Sequence, residues 1–326
     1  MEKLKRKIIL VTGGAGFIGS HLCERLLNLG SKVICFDNFY TGKKENIIHL
    51  MDNPNFELIE GDSNNEADIK DKLGNKIIDY IFHYAAVLGV QRVEEDPMCV
   101  LPDIDGFKYI LELAREKKVK KVIFASSSEA YGDTAELPLQ EDNGQDIAKH
   151  SSNTHLYALV KLLGERVMKI YNDKYGVSTV SLRFFNVFGP KQESSAYGFV
   201  VGVFIRQILN NRPPTIYGDG YQTRDFIYID DNIKLAIKAL LTDEANGHII
   251  NIGAGRQTTI LDLAEKLIRI SGKDLKPKFI EGRNYEIKYR SPDVTKMKEI
   301  LKFKMEDKLE ENLRKTYEWY KENYKE

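Results

Sequence analysis

Residues 8–38 read IILVTGGAGFIGSHLCERLLNLGSKVICFDN, and this stretch decides the fold. The continuous apolar run Ile8–Val11 is typical of a strand that is buried on both faces of a parallel sheet. A turn follows with glycines at a G-x-x-G-x-x-G spacing, at Gly13, Gly16 and Gly19. An apolar helix is then predicted over His21–Leu29, and a second apolar run, Val33–Phe36, ends in Asp37. The order of strand, glycine turn, helix, strand and acid predicts a βαβ unit.

This unit has the features of a dinucleotide-binding site. Glycines allow the turn to close and allow backbone N–H groups to approach a pyrophosphate without an intervening Cβ atom. The helix N-terminus adds partial positive charge under the phosphates. Asp37 stands where a carboxylate accepts both hydroxyls of an adenosine ribose and repels a 2′-phosphate, so we expect NAD rather than NADP. A glycine-rich turn without a ligand is the alternative, and the complete ordered pattern favours the dinucleotide.

Composition bounds the class of protein. The chain has 326 residues with 48 basic and 48 acidic side chains, so no global field favours nucleic acid or a membrane surface. Its three cysteines, Cys23, Cys35 and Cys99, lack metal-binding spacing and fit a reducing compartment. The apolar run near the N-terminus is too short for a signal peptide, and no run approaches the about 18 residues of a membrane span. We therefore expect a cytoplasmic protein without a metal.

Beyond the first unit, strands and helices alternate as far as residue 188. Apolar runs predict strands at Phe56–Ile59, Ile77–Phe82, Val122–Ala125 and Val177–Leu182. This alternation predicts an α/β fold of the Rossmann type, with a doubly wound parallel sheet, as an NAD-binding domain over residues 1–188. Residues 189–326 mix short strands and helices and are expected to form a smaller substrate lobe, with some elements crossing between the two.

Two loops after these strands carry candidate cofactor contacts, and each has a second interpretation. Asp62, after the third strand, can contact an adenine amino group or cap the next helix. Ala85 and Ala86, after the fourth strand, are small enough to pack against a flat cofactor but could equally belong to the core.

The candidate chemistry lies on a long helix predicted over His155–Tyr175. Tyr157 and Lys161 are four residues apart and therefore share one face of this helix. The phenol could act as a general base on a sugar hydroxyl if its pKa, ordinarily about 10, fell by about 2–3 units. Lys161 and a cationic nicotinamide would lower it, and Ser127 could hydrogen-bond the same substrate oxygen. A surface pair without a catalytic role is the alternative.

Taken together, the motifs TGGAGFIGS, GD at 61–62, HYAA, SSSEAYG, YxxxK, RFFNVFGP and GDGYQTRDFIYIDD span nearly the whole chain. In these motifs the sequence resembles the extended short-chain dehydrogenases/reductases, specifically the NAD-dependent nucleotide-sugar epimerase/dehydratase family. The resemblance implies cofactor contacts from Phe17 and Ile18 to the pyrophosphate, from Asp37 and Asn38 to the ribose, from Asp62 and Ser63 to the adenine, and from Lys161 to the nicotinamide ribose. It implies substrate contacts from Ser127, Ser128, Glu129, Asn186, Arg224, Arg290 and Asp293. Arg224 could instead merely pair with Asp225 or Asp230.

The resemblance also implies a reaction. In a 4-epimerase, Tyr157 takes the 4′-hydroxyl proton while hydride passes to NAD, and hydride then returns to the other face of a 4-keto sugar, most simply a UDP-hexose. A UDP-glucuronate decarboxylase typically reads Thr-Ser-Glu where this chain has Ser127-Ser128-Glu129, but its usual residues around the tyrosine are not matched. A 4,6-dehydratase usually reads Asp-Glu after the Ser or Thr, where this chain has Ser128 and Glu129, so half of that acid/base pair is missing. We therefore rank the epimerase first, the decarboxylase second and the dehydratase third. A non-catalytic NAD-sensing protein is the alternative of another class.

Four positions depart from the family's pattern. Asp103 stands where Asn is usual, Phe107 replaces a Thr, His155 replaces a small residue or proline, and Val160 replaces a Ser or Thr. We expect Asp103 to alter the surroundings of the cofactor and His155 to line the sugar pocket. Family members are commonly homodimers through the helices near Met98–Lys117 and His155–Tyr175, and the apolar stripes of these segments allow the same assembly here.

Overall fold

The computed structural model describes residues 2–87, 90–132, 136–143, 154–195, 198–282 and 287–324. Its strands are β1 (Ile8–Thr12), β2 (Lys32–Asp37), β3 (Phe56–Glu60), β4 (Tyr80–His83), β5 (Lys121–Ser127), β6 (Thr179–Phe184), β7 (Asn186–Phe188), β8 (Thr215–Tyr217), β9 (Thr223–Arg224), β10 (Phe226–Tyr228), β11 (Ile249–Ile252), β12 (Thr258–Thr259) and β13 (Lys278–Ile280). Its α-helices are α1 (Phe17–Asn28), α2 (Glu66–Asp68), α3 (Val90–Glu95), α4 (Asp103–Glu116), α5 (Thr154–Tyr175), α6 (Val200–Leu209), α7 (Ile229–Leu241), α8 (Ile260–Ser271), α9 (Thr295–Leu301) and α10 (Leu309–Asn323).

Seven strands form one parallel sheet in the order β11-β6-β5-β4-β1-β2-β3. The order reverses between β1 and β4, which is the switch point where doubly wound folds bind ligands. The predicted Rossmann-type sheet is therefore confirmed. Its last strand, β11, comes from beyond residue 188, so the C-terminal half contributes directly to the sheet.

Alternation along each strand divides the core between the two faces of the sheet. In β1, Ile9 and Val11 pack with α1 and α7, whereas Leu10 packs on the opposite face with α4 and α5. Both faces are thus covered by helices, which explains why the strands read as continuous apolar runs.

A third apolar cluster holds the C-terminal lobe together. It is built mainly from α6, α8 and α10, with Phe204, Leu263 and Tyr317 among its buried members. Three short strand pairs, β7–β10, β8–β13 and β9–β12, connect these helices to the main sheet. Among the helices of the described residues, none is long and apolar enough to cross a membrane.

The segment near Met98–Lys117, expected to be helical, consists of two parts. Residues Pro97–Val100 form a 3₁₀ turn, and α4 begins only at Asp103, directly after Pro102. Proline lacks the N–H that an interior helical position donates, and its ring clashes with the preceding turn, so the helix restarts after it. As a result, Asp103 is the first residue of a helix rather than an interior one.

Candidate active site

A cavity of about 560 Å³ lies at the carboxyl ends of the central strands. Residues that directly follow β1, β3 and β4 line it, together with the ends of β2, β5 and β6. Lys191, Gln192, Glu193 and Phe199 add a wall from the C-terminal half. The cavity therefore lies between the sheet edge and the lobe, where an open α/β fold binds its ligand.

The glycine turn forms the floor of this cavity beside α1. Gly13 has φ +69°, and a Cβ atom there would lie 2.7 Å from the backbone nitrogen of Ala85. A Cβ atom at Gly19 would lie 2.1 Å from the carbonyl oxygen of Gly13, so only glycine permits this approach of helix to turn. Gly16 is the N-cap of α1 and offers no side-chain cap, while Phe17 and Ile18 line the cavity. The first N–H groups of α1 are thereby left for an anion.

Asp37 is held rigidly at the end of β2. Its side chain is buried, and its two carboxylate oxygens accept hydrogen bonds from the backbone nitrogens of Ala15 at 2.9 Å and Phe39 at 2.8 Å. Burial raises the pKa of Asp37, and these two bonds oppose the rise. Each oxygen keeps a further lone pair. The neighbouring Asn38 lines the same part of the cavity and accepts a bond from Tyr40 N.

At the next strand end, Asp62 and Ser63 also line the cavity. Asp62 accepts a hydrogen bond from the backbone of Asn64 at 2.8 Å, whereas α2 is capped by Asn65. The interpretation of Asp62 as the cap of the following helix is therefore wrong.

Ala85 and Ala86 are half-buried and line the cavity, so they do not belong to the closed core. The backbone nitrogen of Ala85 donates to Thr12 Oγ1 at 3.2 Å, and Thr12 Oγ1 in turn lies 2.8 Å from His83 Nδ1. This short network holds the loop after β4 against β1.

Tyr157, Lys161 and Ser127 line the same cavity, from α5 and the end of β5. The Lys161 ammonium lies 5.5 Å from the centre of the Tyr157 ring and donates to the carbonyl of Ala125 at 3.1 Å. Ser127, the last residue of β5, acts to lower the pKa of Tyr157, and its Oγ accepts a hydrogen bond from the backbone of Glu129. The structure therefore brings together all three side chains that the sequence nominated for catalysis.

Burial opposes the lowering of the Tyr157 pKa that is expected from Lys161 and a cationic nicotinamide together. Burial raises the pKa of this phenol well above its ordinary value, Ser127 opposes the rise through its hydrogen bond, and Glu129 adds to it. Burial also lowers the pKa of Lys161, which Asp103 and Glu165 partly restore. A buried site penalises both charged forms, so a phenolate there requires a further positive charge.

The predicted substrate contacts divide into two groups. Ser128, Glu129 and Asn186 line the cavity, and Asn186 Nδ2 donates to the carbonyl of Asp225 at 3.0 Å. Arg224, Arg290 and Asp293 are not among the described residues that line it.

Each of these three side chains has contacts elsewhere. Arg290 is buried, pairs with Glu129 and donates to the carbonyl of Gly132 at 3.1 Å, so it reaches the site through Glu129. Arg224 donates to the carbonyls of Thr223 and Ile287, both at 2.8 Å. Asp293 accepts from the Thr295 backbone at 2.8 Å and from Gln140 at 3.2 Å at the start of α9.

The four departures have different surroundings. Asp103 is buried and lines the cavity, whereas Phe107 packs against Phe124, with ring centres 5.2 Å apart. Val160 is buried in the core beside α4. His155 is not among the described residues that line the cavity, so the expectation that it lines a sugar pocket finds no support.

Sequence reasoning missed a buried ion pair behind the site. Arg183 on β6 donates to both carboxylate oxygens of Glu165 at 2.8 Å, and Ser126 Oγ donates to the same carboxylate at 2.6 Å. Glu165 lies four residues after Lys161 on α5, so the two side chains share one face of the helix. This spacing was the available signal in the sequence for Glu165. The network ties the helix of Tyr157 to β5 and β6.

Comparison with known proteins gives consistent matches along the chain. The model of the NAD dependent epimerase/dehydratase family matches residues 9–253. A putative UDP-glucose 4-epimerase of Methanocaldococcus jannaschii is 36% identical over 323 residues, covering 97% of this chain and 99% of the relative. A UDP-N-acetyl-alpha-D-glucosaminuronate decarboxylase of Bacillus cytotoxicus is 35% identical over 329 residues, covering 97% and 98%. The crystal structure of a UDP-glucuronic acid 4-epimerase from Bacillus cereus, in complex with UDP-glucuronic acid and NAD, matches with a TM-score of 0.87 at 35% identity, covering 97% of this chain and 100% of that chain.

Proposed function

The chain belongs to the NAD dependent epimerase/dehydratase family, and from that premise we propose that it is an NAD-dependent 4-epimerase of a nucleotide sugar, acting through a transient 4-keto sugar. A UDP-sugar, most simply a UDP-hexose, is the proposed substrate, because the related epimerases are named for UDP-sugars. The observation that carries the proposal is that Tyr157, Lys161 and Ser127 line the same cavity as the glycine turn.

The cavity residues at the ends of β1 to β4 fit NAD. The uncapped start of α1 suits the pyrophosphate, and the fixed Asp37 carboxylate has lone pairs for two ribose hydroxyls and a charge that repels a 2′-phosphate. Asp62 and Ser63 would hold the adenine, and Ala85 and Ala86 would allow a flat group to lie close. When bound, NAD would supply the hydride acceptor and donor for C4 of the sugar and a positively charged ring beside Tyr157.

Proton transfer is assigned to Tyr157. As the phenolate, its oxygen would take the proton of the sugar 4-hydroxyl group and return it after the 4-keto sugar has turned over, while Ser127 hydrogen-bonds the same sugar oxygen. Because burial disfavours the phenolate, Lys161 is proposed to hold positive charge close to it while donating to the ribose.

A decarboxylase of the same family is the second candidate, and one observation favours it. Ser127, Ser128 and Glu129 all line the cavity, in an order close to that of the decarboxylases, and a decarboxylase is among the relatives at 35% identity. The ion pair with Arg290 holds the Glu129 carboxylate in one place. This pair would position an anionic side chain beside the sugar in either reaction.

Product analysis separates these functions. Protein with its bound NAD is incubated with UDP-glucose, UDP-N-acetylglucosamine and UDP-glucuronate, and the anomeric proton is followed by NMR. Conversion to the 4-epimer supports the proposal, whereas carbon dioxide release from UDP-glucuronate supports the decarboxylase. Absence of turnover with every nucleotide sugar contradicts the enzyme assignment and favours the non-catalytic sensor.

Substitution of Tyr157 tests the proposed base. Tyr157→Phe should lose more than about 100-fold in kcat, the usual contribution of a general base, and should retain NAD. Tyr175→Phe on the same helix is the matched control, since Tyr175 is 52% exposed, and it should behave as wild type. Near-normal turnover by Tyr157→Phe contradicts the assignment.

A homodimer through α4 and α5 is also proposed. The two helices pack side by side and leave apolar side chains exposed: Ile104 on α4 and Leu159, Leu163 and Ile170 on α5. Light scattering should show a dimer that Leu163→Glu converts to a monomer, and a wild-type monomer would refute the proposal.

A cytoplasmic location is proposed from the free thiols of Cys23, Cys35 and Cys99.

A further inference from the structure

Asp103 is a buried carboxylate in the cavity wall that the proposed reaction does not use. It is the first residue of α4, is 3% exposed, and lines the cavity. Its Oδ1 receives a long hydrogen bond from Asn64 Nδ2 at 3.4 Å, and its Oδ2 is buried with no hydrogen-bond partner within the part of the chain that the structure describes. A buried carboxylate oxygen without a donor is costly, so a ligand that approaches it gains from the contact.

Asp103 interacts electrostatically with two other charged residues of the cavity, Lys161 and Asp62. Burial raises the pKa of Asp103 to about 6, Lys161 opposes the rise and Asp62 adds to it, so the carboxyl is mainly ionised at neutral pH. Asp103 in turn raises the pKa of Lys161. The carboxylate therefore interacts with the ammonium that the proposed function places on the nicotinamide ribose.

The two redox forms of NAD differ in charge at the nicotinamide ring alone. The ring is a cation when oxidised and neutral when reduced, whereas the ribose, pyrophosphate and adenine are the same in both forms. A negative charge near the ring therefore stabilises the oxidised form selectively, and a negative charge near the adenosine half acts on both forms alike.

We propose that Asp103 supplies this charge and biases the bound dinucleotide toward its oxidised form. The inference rests on the proposed function for the presence of NAD and adds a role for the carboxylate. An amide at this position would supply a hydrogen bond without the charge. This bias would keep the bound cofactor oxidised between turnovers. It would also favour the return of hydride from the reduced cofactor to the 4-keto sugar.

The test measures binding rather than turnover. Purified protein is equilibrated with an equal mixture of NAD⁺ and NADH at pH 8, free nucleotide is removed, and the bound nucleotides are quantified by chromatography. Asp103→Asn should raise the bound ratio of NADH to NAD⁺ about tenfold, which corresponds to about 30 mV for a two-electron couple. Asp103→Ser, which removes the charge without adding volume, should shift the ratio in the same direction.

The matched control is Asp105→Asn, which makes the same chemical change at an exposed position of α4. It should leave the ratio at the wild-type value. An unchanged ratio in both Asp103 variants, in protein that still retains nucleotide, overturns the inference and leaves the proposed function standing. Wild-type protein that retains neither nucleotide overturns the proposed cofactor, and this inference with it.

Discussion

The buried pair of Glu165 and Arg183 yields the sharpest stability prediction. Both side chains are 1% exposed, and the guanidinium makes two hydrogen bonds of 2.8 Å to the carboxylate, with Ser126 as a third donor. Glu165→Gln keeps the shape but removes the negative charge, and it turns an amide N–H₂ group toward donors. An unpaired buried cation costs about 3–5 kcal/mol, so the free energy of unfolding should fall by about that amount.

Urea unfolding followed by circular dichroism provides the assay. Asp173→Asn on the same helix is the matched control, because Asp173 pairs with Lys169 in solvent, with side chains 46% and 49% exposed. That change should cost less than about 1 kcal/mol. The double variant Glu165→Leu with Arg183→Met should recover most of the loss, since apolar groups of similar volume can replace a buried pair. A loss below about 1 kcal/mol for Glu165→Gln would refute the reasoning.

Two further predictions concern the cavity carboxylates Asp37 and Asp103. Asp37→Asn removes the charge that repels a 2′-phosphate, so calorimetric titration should show the preference for NAD over NADP reduced by about tenfold, or about 1.4 kcal/mol; an unchanged preference would contradict the ribose assignment. Asp103→Asn should change how stability depends on pH, because burial raises the pKa of Asp103 from 3.8 to about 6 on folding. The wild-type carboxyl stabilises the fold most below pH 3.8, and this stability is lost as the pH rises through about 6. Urea titrations should therefore show Asp103→Asn gaining on wild type between pH 4.5 and pH 8, by at most roughly 3 kcal/mol; a constant difference across this range would argue against the raised pKa.

Where a feature depends on a short segment, the sequence was sufficient to predict it. The glycine turn, Asp37 and the pair Tyr157–Lys161 each reflect local geometry, which residue type and spacing encode directly. Pro102 likewise marks the start of α4, because a proline cannot continue the preceding helical turn.

Features that depend on distant segments were not accessible from motif positions alone. Arg224, Asp293 and His155 are not among the described residues that line the cavity, and their surroundings depend on how the C-terminal half packs. The same holds for the Tyr157 pKa: spacing shows that Lys161 is near, whereas the burial that raises this pKa depends on the whole fold.

The sequence by itself determined the βαβ unit, the preference for a dinucleotide and the shared helix face of Tyr157 and Lys161, because these follow from steric freedom, helix periodicity and charge within a few turns of chain. Only the tertiary structure decided that Glu165 pairs with Arg183, that Arg290 reaches the site through Glu129, and that an unpartnered oxygen of Asp103 lies in the wall of the cavity. These facts depend on which side chains the packed strands and helices exclude from water together, and no local pattern encodes that exclusion.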